Sequence, residues 1–251
     1  MKQLRLLVLV TVAIAGISCL VVPLGGQEVL DTAPPDAAPP DAAPPTETSS
    51  INKSFLDPNM DVKAFVDRFE VESREVYHAR DEIMRLLNLK PGERVVDVGA
   101  GTGFYSLLMS DAVGDDGWVY AVDISPKFIE HLANLFDERE KTNVTTVMCD
   151  SDSVCLPPHC VEVALICDVY HHFEHPEQTM KSIFDAMTDG GRLVVIDFER
   201  IPGVSRDWIL GHVRAGKQTF IDEIQSVGFE LSGEREIPGF DENYFLEFRK
   251  P

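Results

Sequence analysis

Between residues 94 and 248 short apolar runs alternate with amphipathic ones, and this alternation constrains the fold more than any other feature of the chain. Residues 94–98, 118–122, 144–148, 161–166 and 192–197 read as strands. Helical spacing fills the gaps at about 103–112, 126–138 and 176–187, and a further helix at about 217–227 leads to strands near 229–234 and 244–248. Largely apolar strands separated by helices build a mostly parallel sheet covered on both faces. The expectation is an α/β fold: a doubly wound, seven-stranded sheet in a three-layer α/β/α sandwich. The last two strands flank Pro238-Gly239, which predicts a hairpin and an antiparallel edge strand. Ahead of the first strand, Phe65, Phe69, Val76, Ile83, Leu86 and Leu87 predict helix, ended by Pro91-Gly92.

The first strand runs into Asp97-Val98-Gly99-Ala100-Gly101-Thr102-Gly103. Glycines at the carboxyl end of a first strand allow a tight turn and close approach of the backbone to a ligand. The second strand ends at Asp123-Ile124, and a carboxylate there can accept both hydroxyls of a ribose. Together these features predict a nucleoside site. A nicotinamide dinucleotide would need G-x-G-x-x-G, but here the spacing is G-x-G-x-G, with Phe104 where the third dinucleotide glycine belongs. Asp97 would repel a pyrophosphate and suits a cationic amino-acid end group.

Asp97 with Gly99, Gly101 and Gly103 resembles the first motif of class I S-adenosylmethionine-dependent methyltransferases. The resemblance runs from about residue 77 to residue 248 and implies that fold, that activity and S-adenosylmethionine as cofactor. It implies cofactor contacts at Asp97, Gly99, Ala100, Gly101 and Gly103, at Asp123 and Ile124 for the ribose, and at Asp150 and Ser151 for the adenine. Asp168 would sit beside the methyl group, and Thr188-Asp189-Gly190-Gly191 resembles the glycine turn before the fifth strand.

Methyl transfer is an in-line displacement in which the protein positions and desolvates the reactants. A base is needed only when the acceptor is protonated at working pH. Asp168, His171 and His172 are the catalytic candidates: the carboxylate to orient a reactant, the imidazoles as bases. The chain lacks N-P-P-Y, and Asp168-Val169-Tyr170-His171 stands in its place, which argues for a small-molecule acceptor. The acceptor pocket is expected from Arg74, Tyr77, His78 and Arg80 and from the segment after the fifth strand, including Arg206, Trp208, His212, Arg214 and Lys217. Those cations would meet an anionic acceptor, form a lid, or pair with local carboxylates. His171, Glu174 and His175 fall at a strand-to-helix turn, where polar residues are expected anyway, and no metal is expected. With the third and fourth strands separated by two others, Cys149 and Cys167 lie roughly 14 Å apart. Cys155 and Cys160 share a loop in which a disulfide is possible.

A net charge of −20 excludes sequence-independent binding to nucleic acid. Lys2 and Arg5 precede an apolar stretch from Leu6 to Leu24, which predicts a signal peptide or membrane anchor over residues 1–26, with Ser18-Cys19 as a possible lipidation site. Residues 27–54 are rich in proline and alanine, with a repeating APPDA unit, and predict an extended linker. Residues 55–251 form the domain. The protein is therefore expected outside the cytoplasm, or inside it if translation starts near Met60. Export would separate the chain from cytosolic S-adenosylmethionine, so a non-catalytic nucleoside-binding module is the alternative, with a dinucleotide oxidoreductase behind it.

Overall fold

The computed structural model describes residues 51–72 and 74–251. The apolar runs form the seven strands: β1 (Arg94–Val98), β2 (Trp118–Asp123), β3 (Val144–Met148), β4 (Val161–Cys167), β5 (Met187–Phe198), β6 (Glu230–Arg235) and β7 (Asn243–Arg249). Their order is β3-β2-β1-β4-β5-β7-β6. The first five pair in parallel. β7 runs antiparallel to both β5 and β6, and so carries the reversed direction at this edge of the sheet.

Alternate residues of the central strands face opposite layers. Val95, Val163, Leu165 and Val194 pack with α3 (Arg80–Leu87) and α4 (Phe104–Val113), while Ala121 packs against α5 (Pro126–Glu138). Val96, Ala164, Ile166 and Val195 pack against α6 (Pro176–Ala186) and α8 (Lys217–Ser226). Ser125 caps α5 by accepting the Phe128 N–H, with Pro126 in its first turn.

Three segments depart from the sequence reading. The helix expected over 65–89 is three pieces: α1 (Val62–Phe69), α2 (Glu75–His78) and α3. The break has tertiary causes. Arg74 pairs with Asp168, and the Glu75 carboxylate accepts the backbone N–H groups of Asp241, Glu242 and Asn243. The expected turn at Asp189-Gly190-Gly191 lies inside β5, where the register against β4 jumps and Gly190 N–H donates to the Lys250 carbonyl at 2.9 Å. The segment after β5 contains α7 (Asp207–His212), read only as a connection from sequence.

Residues 1–26 and most of the expected linker lie outside the described residues. Asn52 is buried, and its Nδ2 donates to the His172 carbonyl and to Glu174 at 3.1 Å each. Packing therefore starts before residue 55. Cys155 and Cys160 are free thiols, not a disulfide, as are Cys149 and Cys167. Among the described residues no helix is long and apolar enough to cross a membrane.

Candidate active site

The carboxyl ends of β1, β2 and β4 open into one cavity of about 620 Å³, within the size range of small-molecule sites. Gly99, Ala100, Gly101 and Thr102 of the glycine loop line it, whereas Gly103 lies outside that lining, against Leu132 and Leu135 of α5. Gly99 and Ala100 N–H both donate to the Val122 carbonyl, tying the turn to β2. Gly99 has φ +73°, and a Cβ there would meet Val169 at 2.5 Å. Gly101, at φ +54°, has nothing closer to a Cβ position than a loop carbonyl at 3.8 Å, so its face is open to the cavity. The sequence treats these glycines alike. The structure separates them: the first is needed for packing, and the second leaves room beside the cavity.

Asp123 closes the end of β2. One carboxylate oxygen accepts Gly101 N–H and the other accepts Ser125 N–H, both at 2.8 Å. With the Ile124 N–H also acting on the carboxylate, the lone pairs that remain are acceptors of the kind a vicinal diol requires. Burial pushes Asp123 up to about 6 despite these bonds. Asp97 is also raised to about 6, chiefly by burial and partly by the Asp123 charge, while Ser106 Oγ donates to it at 2.6 Å. Two desolvated carboxylates beside open glycine backbone suit a ligand with a ribose and a cationic end group. Ile124, Asp150 and Ser151 line the same cavity with Phe128 and Thr179. S-adenosylmethionine thus fits the donor and acceptor groups present.

Asp168 stands at the end of β4 in a left-handed conformation, φ +54°. It is ion-paired to Arg74 and accepts from Asn243 Nδ2 at 2.7 Å. Burial raises its carboxyl, and the Arg74 charge opposes that rise. His171 and His172 follow in a 3-10 turn (Tyr170–His172). His171 is buried, with Nδ1 2.7 Å from an oxygen of Asp197. Burial, with His171 and His212 beside it, holds His172 down to about 2. At neutral pH it is an uncharged wall rather than an effective base.

The far wall comes from segments that sequence periodicity left indistinct. Phe55 packs edge-on to His172 at 5.3 Å. Arg68 lies 4.6 and 4.8 Å over Phe65 and Phe69. Trp208 stacks on His212 at 4.7 Å, and Arg206 sits 5.2 Å from the Trp208 ring. The expected basic cluster is divided. Of its members, Arg74, Arg206 and His212 line the cavity with Tyr77, Arg74 paired with Asp168 and Arg206 with Glu242, and Arg68, not expected from sequence, joins them. His78 and Arg80 pair with Glu72, Arg214 with Glu223, and Lys217 with Glu199 and Glu234. Asp197 and Phe55 were not singled out from sequence. Asp197 was hidden in an apolar strand, and Phe55 stood at the border of a proline-rich segment. Glu174 and His175 do not join His171; Glu174 meets Asn52, and His175 occupies the N-cap position of α6 without a side-chain cap bond.

Residues 89–230 match the methyltransferase domain family. A ubiquinone/menaquinone biosynthesis C-methyltransferase from Ectopseudomonas mendocina is 29% identical over 121 residues, 48% of this chain and 47% of that protein. A protein-L-isoaspartate O-methyltransferase from Aeropyrum pernix is 30% identical over 116 residues, 45% and 42% of the two chains. The chain thus spans about half the length of the curated relatives it matches. A methyltransferase structure from Aquifex aeolicus superposes with a TM-score of 0.67 at 20% identity, covering 76% of this chain and 99% of that one. With the glycine loop, the paired carboxylates and the strand order in agreement, the chain belongs to the class I S-adenosylmethionine-dependent methyltransferase family.

Proposed function

We propose that the protein transfers a methyl group from S-adenosylmethionine to an aromatic, anionic small molecule. The observation that carries this reading is the continuity of the cavity. One volume joins the loop and Asp123 to a second half walled by Phe69, Trp208, His212, Arg68 and Arg206. When bound, the cofactor supplies a sulfonium methyl group open to in-line displacement. In this reading Asp123 holds the ribose hydroxyls and Asp97 faces the cationic amino-acid end. Asp168 is a positioning residue, fixed by Arg74 and Asn243. His172 excludes water. His171 has its Nδ1 committed to Asp197, so its Nε2 is the electron-pair donor left for the acceptor side. Arg68 attracts the acceptor's negative charge, and the rings stack against its plane. The quinone-biosynthesis relative supports an aromatic acceptor. The acidic surface disfavours a nucleic-acid acceptor.

The test titrates S-adenosylmethionine and S-adenosylhomocysteine calorimetrically into the full chain, then screens phenolic, catecholic and quinol acceptors for a mass gain of one methylene. Micromolar cofactor binding with methylation of one class supports the reading. A folded chain that binds neither nucleoside defeats it and leaves a repurposed fold. We also propose export or anchoring through residues 1–26, as their basic start and apolar middle support. An alkaline phosphatase fusion after residue 50 that stays inactive would overturn that.

A further inference from the structure

We propose that His171, His172 and His212 form a binding site for a divalent transition-metal ion of the zinc type, open to the acceptor half of the cavity. One ring nitrogen from each histidine lies within 4.8 Å of the other two. A tetrahedral zinc site, with Zn–N near 2.1 Å, sets its nitrogens about 3.4 Å apart. Metal binding would require side-chain rotations that bring the nitrogens closer than the 4.8 Å within which they now lie. The ring centroids already sit 4.2 Å apart for His171 and His172, and 5.1 Å for His212 against each.

The donor set specifies the ion. Imidazoles without a carboxylate ligand suit zinc, cobalt, nickel or copper over magnesium or calcium. Three protein ligands leave a fourth position open, as at catalytic rather than closed structural zinc sites.

Two further observations point to the same place. The buried Asp197 carboxylate accepts from His171 Nδ1 at 2.7 Å and from the backbone N–H groups of His171 and Phe198. A carboxylate behind a histidine fixes the tautomer, turns the Nε2 lone pair outward and raises its basicity, the usual support of a metal-binding imidazole. His172 Nδ1 is buried with no hydrogen-bond partner. A proton relay would need His171 and Asp197 alone. It would not explain the convergence of two more imidazoles, one brought in on α7 and held by stacking on Trp208.

All three histidines line the cavity, so with an ion bound the His171 Nε2 lone pair would go to the metal, and the ion in its stead would bind an acceptor oxygen as its anion, lowering that oxygen's pKa and releasing its proton to solvent. This role rests on the methyl-transfer reading, but the metal site itself does not.

The test uses the untagged full chain, stripped with EDTA. Cobalt(II) is titrated in and followed by its visible d–d bands, and zinc is measured by competition. S-adenosylhomocysteine is titrated into the same preparation. The expected result is one equivalent of tetrahedral cobalt, displaced by zinc. His212→Asn should weaken binding by at least about 100-fold and Asp197→Asn by about 10–100-fold. Circular dichroism and retained nucleoside binding would establish that both variants are folded. Nucleoside binding without a cobalt spectrum overturns the metal site alone. Cobalt binding unaffected by His212→Asn, or abolished by Cys155→Ser, also overturns it. Cobalt binding without nucleoside binding supports the site and defeats the methyl-transfer reading. A folded chain that binds neither overturns both.

Discussion

Replacing Asp123 by Asn tests the cofactor half of the cavity most sharply, because binding and stability should part company. The carboxylate presents its remaining lone pairs beside bonds from Gly101 and Ser125 at 2.8 Å. The amide retains one acceptor oxygen and turns an NH₂ toward one of those two N–H groups. Losing one charge-assisted ribose bond costs about 2–3 kcal/mol, or about 30–150-fold in Kd. Stability follows a different sign. Burial raises the carboxyl from its ordinary 3.8 to about 6, so the folded state holds the proton more tightly than the unfolded chain. This group's contribution to stability is fully present below pH 4 and is lost as pH rises through 6. At neutral pH the charged form costs up to about 3 kcal/mol, which the amide relieves. Facing donors return about 1–3 kcal/mol of that. Asp123→Asn should therefore unfold near the wild-type temperature at neutral pH, bind S-adenosylhomocysteine at least about 30-fold more weakly, and show a flatter decline of stability between pH 4 and 6. Asp97 should keep its own part of that slope. Calorimetric titration and pH-dependent scanning calorimetry read these quantities. A folded variant that binds within threefold of wild type refutes the ribose assignment. Parallel pH profiles refute the burial argument.

Other expectations concern packing, charge and reactivity. Gly99→Ala drives a Cβ into Val169 at 2.5 Å in a left-handed conformation and should cost about 3 kcal/mol or more. Gly101→Ala meets only the Gly99 carbonyl, at an ordinary 3.8 Å, and should cost only about 1–2 kcal/mol while abolishing nucleoside binding; denaturant unfolding and calorimetry separate the two. Arg74→Ala strands the buried Asp168 and should cost about 3 kcal/mol, with a steeper loss of stability as pH rises. Adding Asp168→Asn should recover at least about 1 kcal/mol in a double-mutant cycle, and strict additivity would deny the coupling. Within the domain, Cys155 should alkylate first by peptide mapping, because it is exposed. Burial pushes the Cys149 thiol up to about 12 and the Cys167 thiol well above its ordinary range.

The central strands were legible because a strand buried on both faces reads as an unbroken apolar run, as Val163–Cys167 does. Asp97, Gly101 and Asp123 were legible because chain order and spacing along consecutive βα units carry them to one sheet edge. The helix pieces before β1 were not, since their apolar spacing continues through a break made by distant partners of Arg74 and Glu75. The histidine cluster was hidden for a related reason. His212 comes from a short helix after β5, and only the folded chain sets it against His171 and His172. The separate fates of Arg206 and Lys217 were likewise unreadable, because each depends on which carboxylate the fold brings near.

None of the residues of α1 is fully buried, yet the cavity wall depends on the segment that carries it. Its attachment is a small set of aromatic contacts, such as Phe65 on Phe128 at 5.7 Å and Phe55 on Phe128 at 6.2 Å. Breaking them exposes little apolar area beside what global unfolding exposes, so the amides of α1 should exchange with solvent through local opening long before those of β4. The same motion uncovers the cavity. Ligand exit would then be governed by how often a lightly held helix lifts, and a single added apolar contact beneath Val66 would lengthen residence time without touching any group that meets the ligand.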